Sequence, residues 1–489
     1  MRERVGASIV EIITESLYDK PIVVFREYVQ NSADSLASVE NCDDVSALSI
    51  QIWKDKNSLY FLDNGTGIPS VQFAEKMGNI AYSAKSREEN IGYKGIGRLS
   101  GLSYCSKLMF VNILDFQQKQ FQTYTIDCLE YYKLRKTGEL KKLQFHELME
   151  QISSIDDSPN IDRILEAIAP SSSMFDIRNT GFLVILDGLS SVLNGTINDK
   201  RFCDELAWLL PAPFKNELLE TESSDDRNNL FIELSEKCAF PENKMAPAKA
   251  YNIFFNGKQI HRPIDKDLLR DYLCRSNLEQ YAVCVHAFSG AGISINSKNP
   301  FSGIRVYFDN ILLCDESELV PALQKFGMIS HSINETIQAV RGVGAMIYIV
   351  DKDNLSTNAR RTFIDVADSE ALDFLTLVGE FVENIFQARY ALSGYYSAKK
   401  KSEVTIEGLE DLRQRAEEAL VKLARQEIKI EDNYAQDKFA DLAPAEQRKI
   451  IKSKIAKDLN LKIKRYLDQA TVFDPENCFD DFITWLKAN

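Results

Sequence analysis

The twelve residues FREYVQNSADSL, 25–36, set Glu27, Asn31 and Asp34 at spacings of four and three, while Phe25, Val29, Leu36 and the preceding Val24 ask for burial. On a helix, positions i, i+4 and i+7 share one face, so the three polar side chains project together. Burying a carboxylate and an amide is costly unless each finds a partner. Such a stripe is either the solvent face of an amphipathic helix or the wall of a pocket that holds a cation and something anionic. The rest of the chain decides between the two.

Two glycine-bearing stretches follow. DNGTGIP carries Asp63-x-Gly65-x-Gly67 at the end of an apolar run. A carboxylate there can accept a hydrogen bond from an exocyclic amine, and bare glycine backbone lets a flat base approach. GYKGIGRLSG supplies Gly92, Gly95, Ile96 and Gly97 ahead of an apparent helix. Backbone N–H groups freed by glycines at a helix amino terminus form a phosphate cradle. Each motif alone is weak. Their order, closed by a strand opening on Thr180-Gly181, is specific.

Composition narrows the class. A chain of 489 residues that is 45% hydrophobic can bury more than one core, and its length suggests about three domains. A formal net charge of −14 disfavours a protein that coats nucleic acid with its whole surface, yet residues 445–465 hold eight Lys or Arg against two acids. Nine scattered cysteines without a C-x-x-C pair, and four dispersed histidines, argue against a zinc site. The amino terminus lacks a signal-like apolar run, and no segment approaches the roughly 20 apolar residues of a membrane span. A reduced, cytoplasmic, soluble protein without a membrane partner is expected.

Residues 7–40 carry two helical patterns broken at YDKP, with Pro21 at the start of the second. LSIQIWKDKNSLYFLDNGTG reads as a hairpin turning at KDKN, and KLMFVNILDFQQKQFQTYTID as a further strand pair. Residues 78–101 read as a mobile loop, 129–170 as a charged, mostly helical insertion, and TGFLVILDGL as a buried strand. The pattern restarts near 196, where YNIFFNGKQI contains a hairpin signal at Asn256-Gly257, and 368–392 is an apolar-striped helix. Beyond Gly394 the composition turns to Lys, Glu, Leu and Ala with helix–helix spacing. Strands and helices mix without regular βαβ alternation, so an α+β class is expected, divided as 1–195, 196–395 and 396–489.

The ordered motif set resembles the GHKL ATPases: gyrase B, heat-shock chaperones, histidine kinases and MutL. SLYDKPIVVFREYVQNSADSL is similar to the opening of the ninety-kilodalton heat-shock chaperones, and IRVYFDNILLCDESELVP and VDKDNLSTNARRTF are similar to their middle domain. Microrchidia-type (MORC) ATPases share the motif order. The resemblance implies a Bergerat-type ATP-binding α/β sandwich and a transducer-like α+β middle domain; it does not cover the carboxy-terminal region, whose spacing reads as helical, for a coiled coil or for dimerisation. It implies ATP and Mg²⁺ as ligands. Glu27 would be the general base and Asn31 the Mg²⁺ ligand, Asp34 would brace the pocket, and Asp63 would bind the adenine amine with support from Thr180. Gly65 and Gly67 would admit the base, while Gly92, Gly95, Ile96 and Gly97 would wrap the triphosphate with Lys85 or Lys94 adding charge. Arg361, or Arg360 by a one-residue shift, would reach the γ-phosphate.

The expected activity is slow ATP hydrolysis by a chaperone-like homodimeric clamp acting on a protein client or partner subunit. The alternatives are a MORC- or MutL-like nucleic-acid clamp using the 445–465 helix, in genome maintenance or defence against foreign DNA, and an ATP-gated switch that barely hydrolyses. His146, His261, His286 and His331 do not lie on a helical hairpin ahead of the site, which argues against a histidine kinase. No candidate strand-cleaving segment is seen, which argues against a topoisomerase. Arg98 and Leu99 stand where the chaperones carry aromatic and small residues.

Overall fold

The computed structural model describes residues 6–16, 20–39, 47–78, 96–157, 159–175, 178–213, 250–262, 272–278, 282–288, 302–349, 351, 354–358, 362–399, 411–412 and 414–415. The chain divides into two compact units, Met1–Glu427 and Ile428–Asn489, and every described residue lies in the first. The basic run 445–465 and most of the expected helical tail are therefore outside the described residues. The class is α+β, as the mixture of patterns suggested.

An eight-stranded sheet organises the first part. Its strands are β1 (Ser49–Asp55), β2 (Ser58–Asp63), β3 (Lys107–Asp115), β4 (Gln120–Asp127), β5 (Ser153–Asp156), β6 (Gly181–Asp187), β7 (Asn252–Phe255) and β8 (Lys258–Gln259). They lie in the order β5-β4-β3-β6-β2-β1-β7-β8. All pairings are antiparallel except that of β1 with β7. Side chains on alternate sides of each strand feed two cores. Leu108 and Phe110 of β3 and Val184 and Leu186 of β6 face one; Val111, Ile113, Leu183 and Ile185 face the other. Coverage on both faces explains why TGFLVILDGL is apolar without alternation.

Helices α1 (Ser8–Ser16), α2 (Val23–Ala37), α4 (Cys128–Thr137), α5 (Phe145–Ile152), α7 (Ser191–Ile197) and α8 (Phe202–Leu209) contribute to the first core, as does α3 (Ser70–Gly78) through Phe73 and Met77. The second is closed by α6 (Ile161–Ile168) and the 3-10 segment Ala169–Phe175. The stretch 129–170, expected as a helical insertion, is thus part of the framework: α4 and α5 pack on one face, β5 extends the sheet edge and α6 packs on the other.

The hairpin at Asn256-Gly257 forms, with φ of 47° and 75° at its two turn residues. The sequence pattern groups it with the region beginning at 196. In the structure it is the edge of the first sheet, because Ile50 and Ile52 of β1 stand beside Ile253 and Phe255 of β7. Helices α7 and α8 also contribute to the first core, so this layer continues past residue 195.

A second, five-stranded sheet has the order β12-β11-β13-β10-β9, with β9 (Tyr272–Leu278), β10 (Ala282–Phe288), β11 (Gly303–Phe308), β12 (Ile311–Asp315) and β13 (Gly344–Ile349). Helices α9 (Glu316–Lys325), α10 (Ile333–Val340) and α11 (Ala371–Lys399) cover it. Val378, Phe381, Val382 and Ile385 of α11 share a core with Ile304, Val306, Ile347 and Ile349. Each such fully buried side chain is worth about 1.5–3 kcal/mol of transfer energy. No helix among the described residues is long and apolar enough to cross a membrane.

Candidate functional site

Helix α2 lies on the first sheet through Val24, Phe25, Tyr28 and Val29, all essentially unexposed. Phe25 meets Phe61 of β2 edge-on at 5.3 Å, and Tyr28 meets the same ring at 5.1 Å. This packing fixes the direction of the polar stripe. Glu27 and Asp34 are buried, at 6% and 4% exposure, whereas Asn31 between them is exposed. The stripe is therefore neither a plain solvent face nor a sealed interior. Its middle opens outward while its ends are enclosed.

Glu27 has a buried cationic partner. Arg26 donates from Nη2 and Nε to Glu27 Oε1 at 3.1 and 3.3 Å. Neighbours in sequence point about 100° apart on a helix and do not face each other, so the Arg26 arm folds back to make this pair. The ion pair offsets the desolvation of the carboxylate. On its other side Glu27 meets the start of the 3-10 turn Gly97–Gly101: a Cβ on Gly97 would overlap Glu27 Oε2. A side chain at Gly97 would therefore have to displace the Glu27 carboxylate or the turn itself. The turn is held by Tyr28, whose Oη accepts from Gly101 N at 3.0 Å and donates to Arg98 O at 3.1 Å. Burial pushes the Tyr28 phenol well above its ordinary range. Arg98 donates from Nη1 to Lys76 O of α3, and burial lowers its guanidinium to about 10.

The second carboxylate, Asp63, ends β2 at the sheet centre, opposite Ile50 of β1 and Phe182 of β6. It is 2% exposed and accepts from Ser35 Oγ of α2 and from Gly65 N, both at 3.0 Å. Thr180 donates from Oγ1 to Gly65 O at 2.8 Å. The loop following Asp63 is clamped from β3: Asn112 accepts from Ile68 N at 2.9 Å and donates to Ile68 O at 2.7 Å. Gly67 in that loop has φ of +63°, and a Cβ there would stand 3.0 Å from Asn112 Oδ1. Asn64 accepts from Ser49 N at 3.0 Å and donates to Ala47 O and Met174 O at 2.9 and 3.2 Å. The neighbourhood is a rigid polar floor satisfied by its own backbone.

Helix α2 therefore brings Glu27, Asp63 (through Ser35) and Gly97 around one element, with Thr180 braced on the Asp63 loop. Asp34 lies toward the other edge, in electrostatic reach of Tyr251, whose phenol is raised to about 12 by burial first and then by Asp34 and Asp309. Lys85, Gly92, Lys94 and Gly95 lie outside the described residues, as do Arg360 and Arg361. Ile96 precedes the 3-10 turn as its cap. The sequence reading missed Arg26, Ser35, Asn64 and Asn112. Ser35 stands four residues after Asn31, so helical spacing alone could have included it. The other three are revealed only by folded contacts.

The chemistry of these donors fits a nucleotide and a divalent cation. An acceptor-only carboxylate at a backbone floor suits an amine, an outward amide suits a hydrated cation, and a glycine turn against a carboxylate leaves room where a side chain would fill it. Residues 20–158 match the family described as Histidine kinase-, DNA gyrase B-, and HSP90-like ATPase. The first part of the chain thus carries a GHKL-type ATPase domain. Among solved structures, the ATPase region of Saccharomyces cerevisiae topoisomerase II is similar at 10% identity and a TM-score of 0.36, over 81% of this chain and 85% of that chain. The comparison with curated proteins finds no match.

Proposed function

We propose that this protein is a slow, Mg²⁺-dependent ATPase that works as a chaperone-like, homodimeric molecular clamp in the cytoplasm, with a protein client or partner subunit. The observation that carries the reading is the arrangement around α2: Glu27 held by Arg26 against Gly97, and Asp63 held by Ser35 on the same helix. In this reading Glu27 is the general base, orienting the attacking water and taking its proton at Oε1 or Oε2. Arg26 keeps that carboxylate in place. Asn31 would hold the cation, which when bound would offset the charge of the phosphates. Asp63 accepts from the adenine amine, with Thr180 and Asn112 keeping the Gly65–Ile68 backbone in position. Asp34 braces the far end of the stripe. Gly92, Gly95, Ile96 and Gly97 would surround the phosphates, Lys85 or Lys94 would add charge, and Arg360 or Arg361 would reach the γ-phosphate. The functional division follows: an ATP-binding part, a transducer-like part on the second sheet and a helical carboxy-terminal part that pairs two copies.

The test is steady-state ATP hydrolysis by the wild type and Glu27→Ala, with nucleotide binding and particle size measured on both. Hydrolysis by the wild type alone, with binding retained by both, supports the assignment; equal rates overturn it. A second reading, a nucleic-acid clamp of the MORC or MutL kind, draws on the basic run 445–465. DNA binding that weakens steeply with salt and strengthens with a non-hydrolysable ATP analogue favours that reading. Binding without turnover in the wild type favours an ATP-gated switch.

A further inference from the structure

The most deeply buried cation among the described residues is not at the nucleotide site. Arg262, just after β8, is 1% exposed and heads the fully buried side chains by size. A buried guanidinium needs several oxygen partners in its plane. Arg262 donates from Nη2 to Leu210 O at 2.9 Å and to Asn310 O at 2.7 Å, and from Nη1 to Asn310 Oδ1 at 2.6 Å and Tyr348 Oη at 3.4 Å. Its backbone N donates to Pro213 O at 2.8 Å, and its guanidinium carbon stands 4.5 Å from the centre of the Tyr307 ring. Leu210 and Pro213 follow α8 of the first core. Asn310 is the turn between β11 and β12, and Tyr307 and Tyr348 lie on β11 and β13. One side chain therefore grips both sheets.

The grip continues to the nucleotide helix. At one end of α8, Phe202 meets Phe25, two residues before Glu27, edge-on at 5.0 Å. At its other end Trp208 lies under the guanidinium of Arg305 of β11 at 4.2 Å, next to the Leu210 carbonyl that Arg262 holds. Tyr251 lies in the field of both Asp34 of α2 and Asp309 of the β11–β12 turn. A contiguous, packed route thus runs from α2 through α8 to the second sheet.

We infer that Arg262 is a positioning residue that locks the β11–β12 turn onto the end of α8, so that a nucleotide-driven shift of α2 is transmitted to the second sheet. The inference rests on the ATP-binding reading above and adds to it the residue through which the site communicates. A purely structural Arg262 would change stability alone. A positioning Arg262 changes which parts of the protein respond to nucleotide.

The experiment is hydrogen exchange on the full chain, with and without Mg²⁺ and a non-hydrolysable ATP analogue, alongside kcat and KM for ATP. Three variants are compared with the wild type. Arg262→Lys keeps the charge but cannot reach all of its acceptors. Asn310→Gly removes the side-chain amide, and with it the Oδ1 acceptor, while keeping the backbone acceptor and suiting the φ of 62° at that turn, so it is expected to fold even if the first does not. Val378→Ala weakens the second core without touching the junction. Nucleotide is expected to protect both 23–37 and 303–315 in the wild type and in Val378→Ala. In the two junction variants, protection at 23–37 persists, protection at 303–315 is lost, kcat falls at least tenfold and KM changes less than twofold. Wild-type protection at 303–315 in both junction variants overturns the inference. Absence of protection at 23–37 in the wild type instead overturns the ATP-binding reading, and the inference with it.

Discussion

The two sheets are built by similar means and are buried differently. Each sets one parallel pair among antiparallel strands. The first, however, encloses Arg26, Glu27, Asp34, Asp63, Asn64 and Asn112 close to its central strands, whereas the core of the second is formed by aliphatic and phenylalanine side chains such as Ile304, Ile347, Val378 and Phe381. Polar burial is expensive and adds little net stability even when every group is paired. The buried acids and amides of the first part converge on α2 and the end of β2, whereas the buried polar groups described beside the second sheet, such as Asn310, Glu316 and Thr336, are spread over a turn and two helices. In the proposed reading, that convergence is what seats the chemistry at the first sheet.

The contrast can be broken in steps. The largest effect is expected at the second core: Phe381→Ala should cost about 3–5 kcal/mol in a denaturant titration, with nucleotide affinity nearly unchanged. A large loss of affinity would mean that the second core also shapes the site. Next, Gly97→Ala should force the turn away from Glu27. A displacement of the order of 1 Å at a reacting group lowers kcat by about a hundredfold, here with a smaller fall in melting temperature than Phe381→Ala causes. Asn112→Ala, which leaves the Ile68 N–H and carbonyl without their clamp, should destabilise by about 1–3 kcal/mol and weaken nucleotide binding in parallel. An equal loss of stability with unchanged binding would make the Gly65–Ile68 floor purely structural.

The smallest effect concerns alkaline pH. Tyr251 titrates near 12 in the folded chain against 10.0 ordinarily. The folded state holds this proton more tightly, so the associated stability is complete below about pH 10 and is lost as pH rises through about 12. Tyr251→Phe should therefore flatten part of the fall in melting temperature between these values, measured against the wild type in the same buffers. An unchanged slope would mean that burial, with Asp34 and Asp309, does not raise the Tyr251 phenol.

What could be read in the sequence was local. The α2 stripe, the hairpins at Lys56-Asn57 and Asn256-Gly257 and the buried β6 are each specified by periodicity or turn chemistry within about a dozen residues, and all of them form. Pairing over long separations was not legible. Nothing near YNIFFNGKQI says that it lies parallel to β1, some 200 residues earlier, and nothing in 129–170 assigns α5 and α6 to opposite faces of one sheet. The same holds within the site. Glu27, Asp63 and Gly97 stand out by residue type and spacing. The Arg26–Glu27 pair, the Asn64 clamp and the Asn112 clamp depend on which polar groups folding leaves in need of partners. Arg262 carried no signal at all in its own neighbourhood, because its acceptors are supplied by residues 210, 310 and 348.

The central claim is that the buried carboxylate at the end of β2 receives a nucleotide base. Isothermal titration of the wild type and Asp63→Asn with a non-hydrolysable ATP analogue and Mg²⁺ tests it most directly. The substitution keeps the shape of the side chain and its place beside Ser35 and Gly65, and it exchanges an acceptor for a donor. A charge-assisted hydrogen bond contributes about 1.5–3 kcal/mol, so the account predicts that Asp63→Asn binds at least about tenfold more weakly while its melting temperature stays close to that of the wild type. Equal affinity in the two proteins would contradict it.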